Sequence, residues 1–184
     1  MKIKATTKTQ ENLEKSTRRN PSEYGRQLSE KQKVKRTYGV MERQFKRFFQ
    51  MATKSKEATG QMLLSLLERR LDNVMYRLKL SVSRAQARQI IVHGHVLVNG
   101  ERVYSPSYLV NVNDEVSIVP NVLEKKQAFV EQVIDKRLKI GIKVPEWLEL
   151  DKNERKGRVL RAPVRSDIQQ PAIEEHLIVE LYSK

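Results

Sequence analysis

Val34, Tyr38, Met41, Phe45, Phe48 and Phe49 recur at steps of three and four residues. That spacing predicts one apolar stripe along a helical region opening at Ser22 or Ser29. At about 100° per residue, Lys33, Arg36, Arg43 and Arg47 project from the opposite side. Gly39 interrupts the stripe and divides it into two helices. Thr59-Gly60 opens a further helix with Met62, Leu63, Leu66, Leu67 and Leu71 on its apolar face. Ser83, followed three residues later by Gln86, has the pattern of a capping box. The helix it opens runs through Ala87, Ile90 and Ile91 and stops at Gly94.

The period then changes. Val96 and Val98 alternate with polar neighbours, Asn99-Gly100 makes a tight turn and Val103 continues on the far side. Residues 108–112 and 116–119 read as two more short strands around an Asn113-Asp114 turn. Helical spacing returns over 122–139 and ends at Gly141. Residues 147–150 and 158–160 form a last pair of strands, and Pro163 and Pro171 bound a loop. The segment 173–182 is apolar enough to dock on the rest. Helices mixed with short antiparallel strands make the fold α+β.

A chain of 184 residues suits one domain of about 150 residues with an extension, or two small domains. Its apolar runs are a few residues long, far below the ~20 that span a bilayer, which excludes a transmembrane protein, and no strongly amphipathic helix with exposed bulky residues supports a membrane-surface role. Residues 1–20 lack the apolar core of a secretory signal. Cysteine is absent, which excludes disulfides, cysteine nucleophiles and cysteine-based metal sites.

Charge changes the picture most. Thirty-six Lys and Arg face 22 Asp and Glu, a net of +14. The excess is concentrated: residues 1–60 hold 16 basic and 6 acidic side chains, whereas 61–119 and 120–184 are each only +2. Such a field attracts polyanions. A solvated helix face has the same composition, but the concentration over residues 31 to 47 favours phosphate binding. At the predicted helix start, Arg84 and Arg88 are four residues apart and share a face, beside free N–H groups and a positive dipole end. Together with Ser83 they form an expected phosphate clamp.

The order of Arg70-Leu71-Asp72, Ser83-Arg84-x-x-Ala87-Arg88, Gly94-x-Val96-x-Val98-Asn99-Gly100 and the acidic turn at Asp114 resembles the RNA-binding module named after the fourth protein of the small ribosomal subunit, here at 69–119. The flanks, Tyr24-Gly25-x-Gln27-Leu28, Tyr38-Gly39-Val40, Glu42-Arg43-Gln44-Phe45 and the run from Glu175 to Lys184, resemble that ribosomal protein family itself. The resemblance implies a mainly helical domain at 22–68, completed by 162–184, with an α+β domain at 69–161 inserted between; residues 1–21, polar and closed by Asn20-Pro21, read as a flexible basic arm. It implies a non-catalytic structural component that binds small-subunit ribosomal RNA at a helical junction of the 5′ domain. It also implies nucleation of subunit assembly and a contribution to translational accuracy with the neighbouring fifth protein. The place would be the ribosome, in a cytoplasm or an organelle. No cofactor, metal or small-molecule substrate is expected. Some family members hold zinc through a cysteine cluster, which composition excludes here.

The residues expected to meet RNA are Lys31, Lys33, Lys35, Arg36, Arg43, Lys46 and Arg47, then Ser83, Arg84 and Arg88, with Tyr24, Gln32, Tyr38 and Gln44 as weaker sugar, base or packing contacts. Arg18 and Arg19 are the basic residues nearest an expected messenger RNA path. Eight phosphate contacts would give a log–log salt slope of about −7. Replacing Arg84 and Arg88 together should weaken binding while the chain stays folded.

Other chemistries fit less well. Asp72 lies within a motif shared with some pseudouridine synthases, but no room remains for their catalytic domain, so a helix-surface or structural role beside a nearby arginine is expected. His93 and His95 flank a glycine and lack the further ligands a metal needs. Trp147 follows Pro145 in an apolar stretch and reads as core.

Overall fold

The computed structural model describes residues 22–120, 143–168 and 172–183. Among them run α1 (Glu23–Tyr38), α2 (Glu42–Thr53), α3 (Thr59–Glu68), α4 (Leu71–Arg77), α5 (Arg84–Val92), β1 (Val96–Val98), β2 (Glu101–Arg102), β3 (Glu115–Ile118), β4 (Leu148–Asp151), β5 (Lys156–Val159), a 3-10 turn (Arg165–Asp167) and α6 (Glu175–Ser183). The arm at 1–21 and the helix expected over 122–139 lie outside the described residues.

Local signals set the helix boundaries. Ser22 starts α1 by accepting the Gly25 N–H at 3.2 Å. Gly39 ends it at φ +59, a left-handed conformation that glycine adopts without steric cost. Ser83 starts α5 by accepting the Gln86 N–H at 3.2 Å. The Gln86 side-chain oxygen accepts in return from the Val82 N–H at 2.7 Å, one residue earlier than in an ordinary capping box.

The strands form one antiparallel sheet in the order β2-β1-β3-β5-β4. Val96 pairs with Ile118 and Val98 with Val116, so four buried apolar side chains share a face. They join one core with Leu71, Val74, Met75 and Leu78 of the α4 region, Ile90 and Ile91 of α5, and Trp147. A second core combines Val34 and Tyr38 of α1, Phe45, Phe48 and Phe49 of α2, Leu63, Leu64 and Leu67 of α3, and Ile168, Ile173 and Ile178 from the C-terminal part. The expected docking of that part is observed: the Tyr182 ring stacks on Phe49 with centroids 4.4 Å apart.

Three expectations are corrected. Leu71 is not on the apolar face of α3: that helix ends at Glu68, and Leu71 opens α4 and packs into the sheet core. Met41 does not continue the apolar stripe; it is 80% exposed, because the Gly39-Val40 turn breaks the helical phase and buries Val40 instead. Residues 108–112 do not form a sheet strand. They pair with the α3–α4 connection through a single bridge, Arg70 to Leu109. The Leu71 N–H donates to the Tyr108 carbonyl at 2.8 Å, and the Val110 N–H donates to the Arg69 carbonyl at 2.9 Å.

Candidate nucleic-acid interface

Two groups of cations were expected to meet RNA, and the fold treats them differently. On α2, Phe45, Phe48, Phe49 and Ala52 point into the core. Arg43, Lys46 and Arg47, three and four residues apart, are thereby turned to solvent. Arg36, in the last turn of α1, is exposed too. None of these four side chains has an ion-pair partner among the described residues.

The α1 lysines are engaged. Lys31 and Lys35 grip Glu42 of α2 at 2.8 and 2.5 Å, and Lys33 reaches Glu30 at 3.2 Å and the Ala172 carbonyl. Burial works against the charged form of Glu42, but hydrogen bonds from Lys31, Lys35 and Tyr182 bring its carboxyl down to about 2. Lys31 and Lys35 therefore clamp α1 to α2 and, through the Tyr182 hydroxyl at 3.1 Å, to α6. Tyr24 is 59% exposed on the first turn of α1, and Gln32 and Gln44 are half-buried.

The arginines of the second core's boundary face inward. Asp72 is fully buried and accepts from Arg70 at 2.7 and 3.1 Å and from Arg88 at 2.7 Å. Arg88 also donates to the Tyr38 carbonyl, and its guanidinium lies where a Cβ on Gly39 would have to be. It thus ties α5 to the end of α1. Glu68, equally buried, receives both nitrogens of an Arg77 fork at 2.6 and 3.0 Å, the Tyr38 hydroxyl at 2.6 Å and the Asn73 amide at 2.7 Å. Burial opposes its ionisation, yet the Arg77 pair and these donors hold its carboxyl below the usual range. Burial, and then Glu68, push the Tyr38 phenol far above its ordinary value.

Arg84 differs from its neighbours. Its Nε donates to Asn73 Oδ1 at 2.7 Å, and its guanidinium lies over the rings of Tyr76 and Tyr38 at 4.6 and 5.1 Å. The terminal nitrogens bond no described residue, and Glu68 is already taken by Arg77. Burial pulls the Arg84 guanidinium below its ordinary value, with Glu68 acting in the opposite direction. The result is a charged fork fixed along its stem with its outer edge unpaired, at the start of α5 beside Ser83.

Several expectations change accordingly. Arg84 and Arg88 do not form a common clamp, because Asp72 and the Tyr38 carbonyl hold Arg88 inside. Tyr38 does not stack on bases; it is 1% exposed and seats Arg84. Asp72 is the structural arginine partner expected, though buried and not on a helix surface. Glu68, which holds Arg77, and Asn73, which holds Arg84, carry no signal of their own in the sequence beyond their place around the Arg-Leu-Asp motif; Tyr76, under Arg84, falls within the helix that this motif opens. Arg18 and Arg19 lie outside the described residues. Among the described residues no cluster could hold a metal and no helix is long and apolar enough to cross a membrane.

Comparison with known proteins gives two family matches. Residues 2–68 match the ribosomal protein S4/S9 N-terminal domain and residues 69–116 match the S4 domain. The small ribosomal subunit protein uS4 of Halothermothrix orenii is 49% identical over 172 residues, covering 93% of this chain and 80% of that protein. Those of Natranaerobius thermophilus and Caldicellulosiruptor saccharolyticus are each 53% identical, over 164 and 167 residues, covering 89% and 91% of this chain and 76% and 78% of theirs.

Proposed function

The chain belongs to the uS4 family of small ribosomal subunit proteins, and on that premise we propose that it binds small-subunit ribosomal RNA at a helical junction of the 5′ domain. The role is structural and non-catalytic, and its place is the ribosome. One observation carries the RNA reading. Arg84 is fixed by Asn73, Tyr76 and Tyr38 with its terminal nitrogens unpaired among the described residues, while the arginines around it are neutralised by Asp72 and Glu68. A fork held in this way loses little side-chain freedom on meeting a phosphate. Arg36, Arg43, Lys46 and Arg47 supply the second contact surface, and the N-terminus of α5 adds a favourable dipole.

Phosphate and shape recognition follow, because a protein lying on a helical junction meets mostly backbone. Ser83 contributes as the cap that orients α5. Tyr24, Gln32 and Gln44 would make the weaker sugar or base contacts. Lys31, Lys33 and Lys35 contribute field while holding the helices together, and Arg88 and Tyr38 act as scaffold. Early binding would nucleate assembly of the subunit body. Contact with the neighbouring fifth protein would bear on accuracy, and Arg18 and Arg19 would lie toward messenger RNA.

The test is a salt-titrated binding measurement with the full chain, on a 5′-domain fragment containing the junction and on a scrambled RNA of equal length. Five phosphate contacts predict a slope of about −4.5 on a duplex-like target. Junction binding should be about a hundredfold tighter than scrambled binding, or roughly 2.7 kcal/mol. Equal affinity with the same slope would mean that charge alone drives binding and would end the junction reading.

A further inference from the structure

The β1–β2 ribbon carries a surface that the phosphate scheme leaves unused. Val103 donates its N–H to the Val96 carbonyl at 3.2 Å and packs against the sheet core. Side chains alternate along a strand, so Arg102 and Tyr104 turn outward. Tyr104 is 59% exposed. Its ring rests on Gly94: a Cβ built there would lie 2.5 Å from Cε1 and 3.2 Å from Cζ. Gly94 also has φ +69, a left-handed conformation that favours glycine, and the ring occupies the space a side chain there would take. His93 and His95 flank Gly94, with ring centroids 6.0 Å apart and planes 26° from parallel. Val92, 58% exposed, ends α5 beside them.

One ring therefore lies against Gly94, and a stacked pair of imidazoles belongs to the residues on either side of it. A tyrosine seated on a backbone glycine has already given up much of its rotamer freedom, so stacking on it costs little further order. The phenol and the imidazoles each offer a π face with a polar edge. That combination suits a nucleobase better than an aliphatic protein side chain. Arg102, exposed on the same side of the ribbon, supplies a cation for the adjoining phosphate.

We propose that Tyr104, with His93 and His95 around Gly94, is a stacking platform for an unpaired RNA base. The inference rests on the RNA-binding reading above and adds to it a contact with single-stranded RNA, separate from the backbone contacts of Arg84 and α2.

The full chain and its Tyr104→Ala, Tyr104→Phe and His93→Ala variants would be titrated with a single-stranded oligoadenylate of about twelve nucleotides and with an RNA duplex of similar length. Tyr104→Ala should weaken single-strand binding roughly tenfold, leaving duplex affinity and the salt slope unchanged, since no phosphate contact is lost. Tyr104→Phe should bind within about twofold of wild type, and His93→Ala should lose a few-fold on the single strand only. Unchanged single-strand affinity in Tyr104→Ala, or an equal loss on both RNAs, would overturn the platform while the phosphate reading stands. Failure of the wild-type chain to bind either RNA would overturn the RNA reading and the platform with it.

Discussion

The exposed face of α2 and the buried seam between α1, α3, α4 and α5 are both rich in cations, yet they do opposite work. On α2 the apolar residues Phe45, Phe48 and Phe49 fill the core, so Arg43, Lys46 and Arg47 are exposed and without an ion-pair partner among the described residues. In the seam, two buried carboxylates, Asp72 and Glu68, draw Arg70, Arg88 and Arg77 inward. Arg84 stands between the regimes, with its stem in the seam and its outer edge unpaired among the described residues. A count of arginines thus says little about binding until the carboxylates have taken their share. Buried guanidinium groups can serve as mortar between two cores, and those left over are available to a polyanion.

The largest expected effect breaks the seam. Asp72→Ala leaves the guanidinium of Arg70, 2% exposed, without its carboxylate, and should cost about 3–5 kcal/mol in a urea titration. A loss under about 1 kcal/mol would mean that the seam contributes little to stability.

The next prediction separates the two arginines of the module. Arg88→Ala removes bonds to Asp72 and to the Tyr38 carbonyl and should destabilise the chain by about 2 kcal/mol. Arg84→Ala should reduce RNA affinity about tenfold with a smaller stability loss, because its partners are a neutral amide and two rings. The double replacement, expected from sequence to leave the fold intact, should instead be destabilised by at least the Arg88 share. If both single variants lose stability equally and bind RNA equally, the distinction between mortar and fork is gone.

Replacing Arg43, Lys46 and Arg47 with glutamine should leave the unfolding midpoint unchanged and flatten the salt slope by about 3. A shifted midpoint would show that α2's outer face is structural after all.

The smallest effect concerns Glu42. Its folded carboxyl titrates near 2 against an ordinary value of 4.5, so its contribution is present above 4.5 and is lost as pH falls toward 2. Half-exposure of the side chain limits that contribution to under about 1 kcal/mol. Glu42→Gln should remove this segment of the acid-unfolding curve; an unchanged curve would show that Lys31, Lys35 and Tyr182 do not stabilise the ionised form.

Most helix boundaries were legible because their causes are local. Ser22, Gly39, Ser83 and Gly94 act within a few residues, through a hydroxyl on a nearby N–H or a positive φ. The failed strand at 108–112 has a non-local cause. Its backbone groups found partners at Arg69 and Leu71, about forty residues earlier, and a strand is defined by whom it pairs with. Met41 failed for a geometric reason: spacing alone does not register the rotation introduced at Gly39.

By itself the sequence determined the starts of α1, α3 and α5, the stops at Gly39 and Gly94, the alternation that buries Val96 and Val98, and the basic excess of the first third. Each depends on neighbours along the chain or on composition alone. Only the tertiary structure decided which cations are available. A guanidinium is committed by the carboxylate it meets in space, and Arg88 meets Asp72 sixteen residues away and the Tyr38 carbonyl fifty away. The stacking of Tyr104 on Gly94 is of the same kind, since the hairpin must close before the ring and the glycine meet.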